Sequence, residues 1–252
     1  MSKGICGNRV GKFALAIAIV LTVLAAGVRS ADAGEATEFH RAVADAYVHY
    51  REALFYVQRG NPSVAAFELE PLVEKWTALE RQFADDPPEV YANDPKWRVT
   101  LESIGRHAKS GLAAALANDA EEAKTRLAPI RQALVELRRR NQVLLFADYV
   151  EEANITFGKL FRFRKQPPDF ADTGQVDALR KALTDTIHSY KKCRDNAPPA
   201  IAEDPQFKRL IKDSLYYLDR MWVAIEEKNQ VSVVNILRRV VSSDKILWMR
   251  FG

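Results

Sequence analysis

Cysteine is almost missing from this chain: Cys6 and Cys193 are the two among 252 residues. Cys6 lies ahead of a long apolar run at residues 13–28, so Cys193 alone belongs to the body of the protein and no internal disulfide framework can form there. The fold must stand on its core. Strict alternation of apolar and polar residues is also lacking, which argues against half-buried strands and a β-rich architecture. No glycine-rich phosphate loop, Gly-x-Ser-x-Gly elbow or His-Glu-x-x-His helix occurs, so nucleotide, serine-hydrolase and zinc-protease chemistry have no support. Adjacent acids such as Glu151-Glu152 and Glu226-Glu227 diverge by about 100° on a helix and read as solvated surface rather than acid–base machinery.

A one-signed charge is the next absence. The whole chain carries 37 basic and 33 acidic residues. Lys3, Arg9, Lys12 and Arg29 fall in the first 33 residues against Asp32 alone, so the remainder is nearly balanced. Nucleic acid is therefore not the expected partner. Local basic clusters at Arg138-Arg139-Arg140 and at Arg162, Arg164 and Lys165 read as helix ends or solvated faces.

What is present begins with an export leader over residues 1–33: a basic start, the apolar run, and a small-x-small site at Ala31-Asp32-Ala33. It places the mature protein in the periplasm or outside the cell. A membrane role enters only if this segment stays uncleaved, and the apolar run falls short of the ~20 residues a span needs.

Elsewhere apolar residues recur at helical spacing. Phe39, Val43, Ala46, Tyr50, Leu54 and Val57 form one stripe, and Phe207, Ile211, Leu215, Leu218, Trp222 and Ile225 form another. Gly60-Asn61-Pro62, Asn118-Asp119, Gln166-Pro167-Pro168 and Lys228-Asn229 punctuate the stripes, and Asp94-Pro95 and Asp204-Pro205 read as helix starts. The absence of proline and glycine between Ile130 and Phe157 predicts one helix over about residues 120–163, roughly 65 Å long, joining the two halves; the alternative is a break near Asn141.

The chain also repeats itself. Asp94, Trp97, Leu101, Leu112, Leu127 and Leu137 are echoed by Asp204, Phe207, Ile211, Trp222, Leu237 and Leu247 at a constant offset of 110 residues. The proline loop from Pro87 returns from Pro198, read as one residue shorter in the second copy. The expected architecture is all-α: tandem antiparallel four-helix bundles over residues 34–141 and 142–252.

Pro88-Glu89-Val90-Tyr91, Asp94-Pro95-Lys96-Trp97 and Asn118-Asp119 resemble the loop, helix start and late turn of the cytochrome c′-type four-helix bundle family. The resemblance implies a bundle. That family bears a Cys-x-x-Cys-His motif for covalent haem on its last helix, and here its places fall near Leu134, Leu137 and Arg138, and near Asp244, Leu247 and Trp248. Covalent haem is excluded at these positions.

Axial ligands for noncovalent haem or a metal would come from His40, His49, His107, His188, Met221 and Met249. His40 and His49 lie on nearly opposite faces of one helix, His188 and Cys193 diverge, and Met221 beside Trp222 reads as packing. Cys193 is a possible free thiol, with Lys191, Lys192 and Arg194 favouring its thiolate. Aromatic groups at Tyr47, Tyr50, Phe55 and Tyr56, at Phe157, Phe161 and Phe163, and at Tyr216, Tyr217 and Trp222 cover more than one helix face, which implies packing between the halves or against a partner. These residues point to an exported, non-enzymatic protein-interaction or scaffolding module, a haem-less relative of the cytochrome c′-like bundles, with a protein partner in the cell envelope and no cofactor. The alternative is a noncovalent haem, metal or small apolar ligand held in a bundle core.

Overall fold

The computed structural model describes residues 28–252, with side chains from residue 37 onward. The leader over residues 1–33 lies almost wholly outside the described residues. Among those described, eight long helices and one single-turn helix carry the fold, and no strand occurs. The protein is all-α.

In the first half the helices are α1 (Val28–Val57), α2 (Pro62–Phe83), α3 (Trp97–Leu116) and α4 (Ala120–Arg140). The second half holds α5 (Phe146–Phe161), α6 (Thr173–Asp195), the single-turn α7 (Pro199–Ala202), α8 (Pro205–Glu226) and α9 (Gln230–Phe251). No helix of the described residues is long and apolar enough to cross a membrane.

Local chemistry sets these boundaries. Gly60, at φ +73°, ends the first reversal, and Pro62 opens α2 where a missing N–H costs nothing. Asn118 and Lys228 also adopt positive φ, 60° and 52°, after α3 and α8. The next residue then caps the following helix: Asp119 accepts from the Glu122 N–H at 2.9 Å, and Asn229 from the Ser232 N–H at 3.0 Å.

The apolar stripes close into one continuous core that runs through both halves. In the first half α1 packs on α2, α2 on α3, α3 on α4, and α4 returns to α1; in the second, α5 packs on α6, α6 on α8, α8 on α9, and α9 on α5. Trp76 and Trp97 are buried with their indole N–H groups satisfied by the Leu101 and Phe83 carbonyls at 2.9 and 2.8 Å. Gly111 lets α3 and α4 approach closely, since a Cβ there would strike Leu127.

Matched positions do matched work. Leu127 and Leu237 are fully buried, as are Trp97 and Phe207. Tyr91 N–H donates to Pro88 O at 2.7 Å and Asp94 N–H to Tyr91 O at 2.9 Å; Ile201 N–H donates to Pro198 O at 2.9 Å and Asp204 N–H to Ile201 O at 3.0 Å. The same hydrogen bonds therefore recur 110 residues on through the proline loop. Tyr91 corresponds to Ile201, and the one-residue gap read from the sequence is corrected.

The same offset relates two clasps that tie the end of the last helix to the proline loop. Arg140 Nε meets Asp94 Oδ2 at 2.8 Å, and Arg250 Nη2 meets Asp204 Oδ2 at 3.2 Å. The Asp94 clasp is the more buried, its side chain being 1% exposed against 23% for Asp204. Burial pushes the Asp94 carboxyl up, but hydrogen bonds from Asn141, the Lys96 N–H and Arg140 outweigh it and hold the group below the usual carboxylate range. Asp94 also stands outside its helix, which begins at Trp97 rather than at Asp94-Pro95.

This clasp overturns the long shared helix. Asn141 Nδ2 is drawn to Asp94 Oδ2 at 2.9 Å and to the Leu137 carbonyl at 2.7 Å, and Gln142 turns to φ 57°. A new start follows at once: Asp148 caps the Leu145 N–H at 2.9 Å and binds Arg138 through two nitrogens. Side chains capture the backbone here without proline or glycine.

Asp94→Ala is expected to cost about 3 kcal/mol because it removes a buried carboxylate that accepts from Arg140, Asn141 and the Lys96 N–H, whereas Asp204→Ala forfeits mainly a cap and costs clearly less. Urea unfolding at pH 7 measures both, and equal losses would refute the difference in burial as the cause.

Candidate functional site

The sequence candidates for ligation do not converge. His40 Nε2 is held by Tyr91 OH at 2.8 Å, and His49 Nδ1 by Glu68 Oε2 at 2.8 Å. Burial, followed by the Arg138 charge, lowers the His40 pKa, which favours neutral imidazole. His107 is half-buried and His188 exposed, while Met221 lies in the core of the second half and Met249 packs at its edge. Among the described residues no group of three or more His, Cys, Asp or Glu side chains is arranged to hold a metal ion.

Cys193 is a free thiol, fully buried. The neighbouring cations do not serve it: Lys192 reaches Glu152 at 2.8 Å and Arg194 reaches Asp195 at 2.7 Å. Burial pushes the thiol pKa up to about 12, so the expected favouring of a thiolate is reversed.

A polar chain, rather than any single candidate, crosses the junction between the halves. Arg131 on α4 directs Nε to both oxygens of Glu151 on α5, at 2.5 and 2.6 Å, and Nη2 to Asn154 Oδ1 at 2.7 Å. Asn154 Nδ2 donates to Asp244 Oδ2 on α9 at 2.5 Å, and Tyr190 OH on α6 donates to Asp244 Oδ1 at 2.7 Å. The Arg131 guanidinium carbon lies 4.8 Å from the centre of the Trp248 ring. Thus α4, α5, α6 and α9 are joined by one continuous run of hydrogen bonds.

Glu151 had read as solvated surface; it is 8% exposed and belongs to this run. Its pairing has no local signature, because Arg131 lies on another helix. Asp244 carries a clearer signal: the residue 110 positions earlier is Leu134, and both sites are buried, at 4% and 3% exposure. The repeat thus marks an acid standing where the other half has a core leucine.

One guanidinium faces two carboxylates in this interior. Burial pushes the Asp244 pKa up to about 6, against the pull of Tyr190, Asn154 and Arg131 and with the added push of Glu151. Burial and the Asp244 charge likewise raise the Tyr190 hydroxyl well above its usual range, keeping it a donor. Tyr47 and Tyr50, stacked at 4.9 Å, feel the Arg131 and Glu151 charges from α1. Those aromatic residues pack at the junction. Phe157, Phe161 and Phe163 belong to the core of the second half or its edge.

The third aromatic group is different. Tyr216 is 56% exposed and meets Tyr217 edge-to-face at 5.3 Å. The Arg220 and Arg239 guanidinium carbons lie 6.0 and 5.5 Å from the Tyr216 and Tyr217 ring centres. Tyr217, Arg220, Val223, Asn235 and Arg239 line a shallow hollow of about 210 Å³ between α8 and α9. Sequence reading found the tyrosines but not the arginines, of which Arg239 comes from the neighbouring helix.

Comparison with protein-family models, with curated proteins and with solved structures returns no match.

The Asp244 carboxyl binds its proton more tightly when folded than at its ordinary value of 3.8, so its protonation stabilises the fold fully below 3.8 and this contribution is lost as pH rises through about 6. Relative to Asp244→Asn, the unaltered protein should gain about 2 kcal/mol of unfolding free energy between pH 7 and pH 4.5, read by urea titration at each pH. A difference that stays flat would contradict it. In a chain carrying Cys6→Ser, Cys193 should resist a thiol-specific disulfide reagent while folded and react fully in denaturant; rapid reaction of the folded protein would overturn its assignment as inert.

Proposed function

We propose that this chain is an exported, non-catalytic helical protein made of two copies of a four-helix unit, and that it acts as a protein-interaction module in the cell envelope. The observation that carries the reading is the aromatic and arginine face of α8 and α9. Tyr216 and Val223 stand 56% and 48% exposed there, flanked by Arg220 and Arg239. Tyrosine and arginine dominate the energetics of protein interfaces because they combine large contact area with directional hydrogen bonding. Buried chemistry-bearing groups, by contrast, are occupied with one another: Asp244 with Tyr190 and Asn154, Glu151 with Arg131, and His40 with Tyr91.

Two further observations support the ancestry in this reading. Clasps, turns and proline-loop hydrogen bonds recur 110 residues apart. Leu134, Leu137, Leu247 and Trp248, at or beside the places where the cytochrome c′-like motif would stand, are packed in the core, in keeping with a haem-less relative. Export rests on the leader at residues 1–33.

Full-length tagged protein, cross-linked in cells and recovered from the envelope fraction, should bring down one specific protein. Tyr217→Ala combined with Arg239→Glu should reduce that recovery at least tenfold with helical circular dichroism unchanged, as expected for loss of about 2 kcal/mol at an interface centre. Recovery at the original level would refute this face as the interface.

A further inference from the structure

The copies differ most usefully at the outer flank of α8, close to the proline loop. A hollow of about 480 Å³, open to solvent on one side, is lined by Arg194, Ala202, Phe207, Lys208, Ile211, Lys212 and Leu215. Its volume falls within the roughly 300–1,000 Å³ of small-molecule sites. Phe207 and Ile211, 2% and 3% exposed, form the bottom of the hollow, Leu215 and Ala202 its partly open apolar wall, and Lys208 and Lys212 follow helical spacing along its edge. Arg194, from the end of α6, stands across from them.

The equivalent place in the first half is built to need nothing. At the positions of Asp195, Lys208 and Lys212 it has Asp85, Arg98 and Glu102, and Arg98 is paired with both Asp85 and Glu102, the latter at 3.5 Å. Ala84 stands where the second half has Arg194, and Gly105 where it has Leu215. Tyr91 fills the adjacent loop position and stacks on Trp97 at 4.8 Å, whereas the smaller Ile201 takes that position beside Phe207. One copy is thus internally neutralised. The other gains cations and keeps a hollow over an apolar floor.

The charges in the second copy are also unevenly used. Lys208 reaches Glu203 at 2.6 Å and Arg194 reaches Asp195 at 2.7 Å, both on exposed side chains where such pairs are worth little. Lys212 has no carboxylate partner among the described residues, and it sits four residues from Lys208 on the same helix face, a mildly unfavourable like-charge spacing.

We infer that this hollow is a binding site for a small amphiphilic carboxylate, its alkyl or aryl body laid on Leu215 and Ala202 over the sealed Phe207 and Ile211, and its carboxylate held by Lys212 with Lys208 and Arg194. The two features are complementary: the floor supplies apolar burial and the rim supplies the charge that selects an acid over an alcohol of the same length. The two hollows share no lining residue, so the site stands whether or not the face between α8 and α9 binds a protein.

The test uses full-length protein and two probes. The fluorescent aryl sulfonate 1-anilinonaphthalene-8-sulfonate should bind at one saturable site and be displaced by octanoate but not by equal concentrations of 1-octanol. Lys212→Glu, which installs the residue the first half carries at this position, should weaken displacement by octanoate at least tenfold. Ala202→Trp, which fills the hollow, should abolish probe binding; unchanged helical circular dichroism and an unfolding midpoint near that of the original protein certify both variants. Absence of a saturable site, displacement by octanol as readily as by octanoate, or indifference to Lys212→Glu would each overturn the assignment. So would binding to anionic phospholipid vesicles without saturable octanoate binding, since that would make the rim a membrane contact. If Ala202→Trp fails to fold, the Lys212→Glu comparison decides alone.

Discussion

A run of hydrogen bonds from Arg131 to Glu151 and Asn154, and on to the buried Asp244, sets the terms on which the halves of this protein meet. Arg131 extends from the last helix of the first half and is met by Glu151 and Asn154 from the first helix of the second. Removing any member of such a run strands its neighbours away from water, which is why buried polar networks fix a unique arrangement even where they add little net stability. The aromatic packing of Tyr47, Tyr50 and Trp248 against the same place excludes solvent and strengthens each contact. Apolar stripes alone would allow the halves to slide past one another; a run of directional hydrogen bonds does not.

The helical stripes were largely legible in the sequence. Helical spacing located the long helices apart from α4 and α5, read first as one, and the glycine, asparagine and proline signals at residues 60–62, 118–119 and 228–229 marked real reversals with positive φ or capping side chains. The break after Arg140 was not legible as a first choice. It depends on Asn141 reaching Asp94, 47 residues away, and no local pattern encodes that reach. The proline-loop alignment failed for a related reason. Paired prolines suggested a loop one residue shorter in the second half, whereas the hydrogen bonds match Tyr91 to Ile201 with no gap.

The site followed the same rule. Residues singled out for intrinsic chemistry, the histidines and Cys193, turned out to be dispersed or buried with the wrong protonation. Residues that form the polar run were ordinary in sequence, Glu151 most of all. Positions 110 residues apart carry more signal together than either half does alone. Leu134 against Asp244 points to the buried acid, and Ala84, Glu102 and Gly105 against Arg194, Lys212 and Leu215 point to the cationic hollow.

The order in which the chain leaves the ribosome gives the Asp244 position a further meaning. Asp94 and Arg140 can close as soon as α4 has emerged, and Arg131 finds Glu151 only 20 residues later in sequence. Tyr190 and Asn154, however, must wait for Asp244 in the final helix, 54 and 90 residues further on respectively. A nascent chain short of α9 therefore holds an apolar cleft with two unanswered polar groups at its base, and it is the last-made segment that seals the whole. Truncated or stalled products would be left recognisably open, which gives cellular quality control a simple criterion for telling finished molecules from unfinished ones.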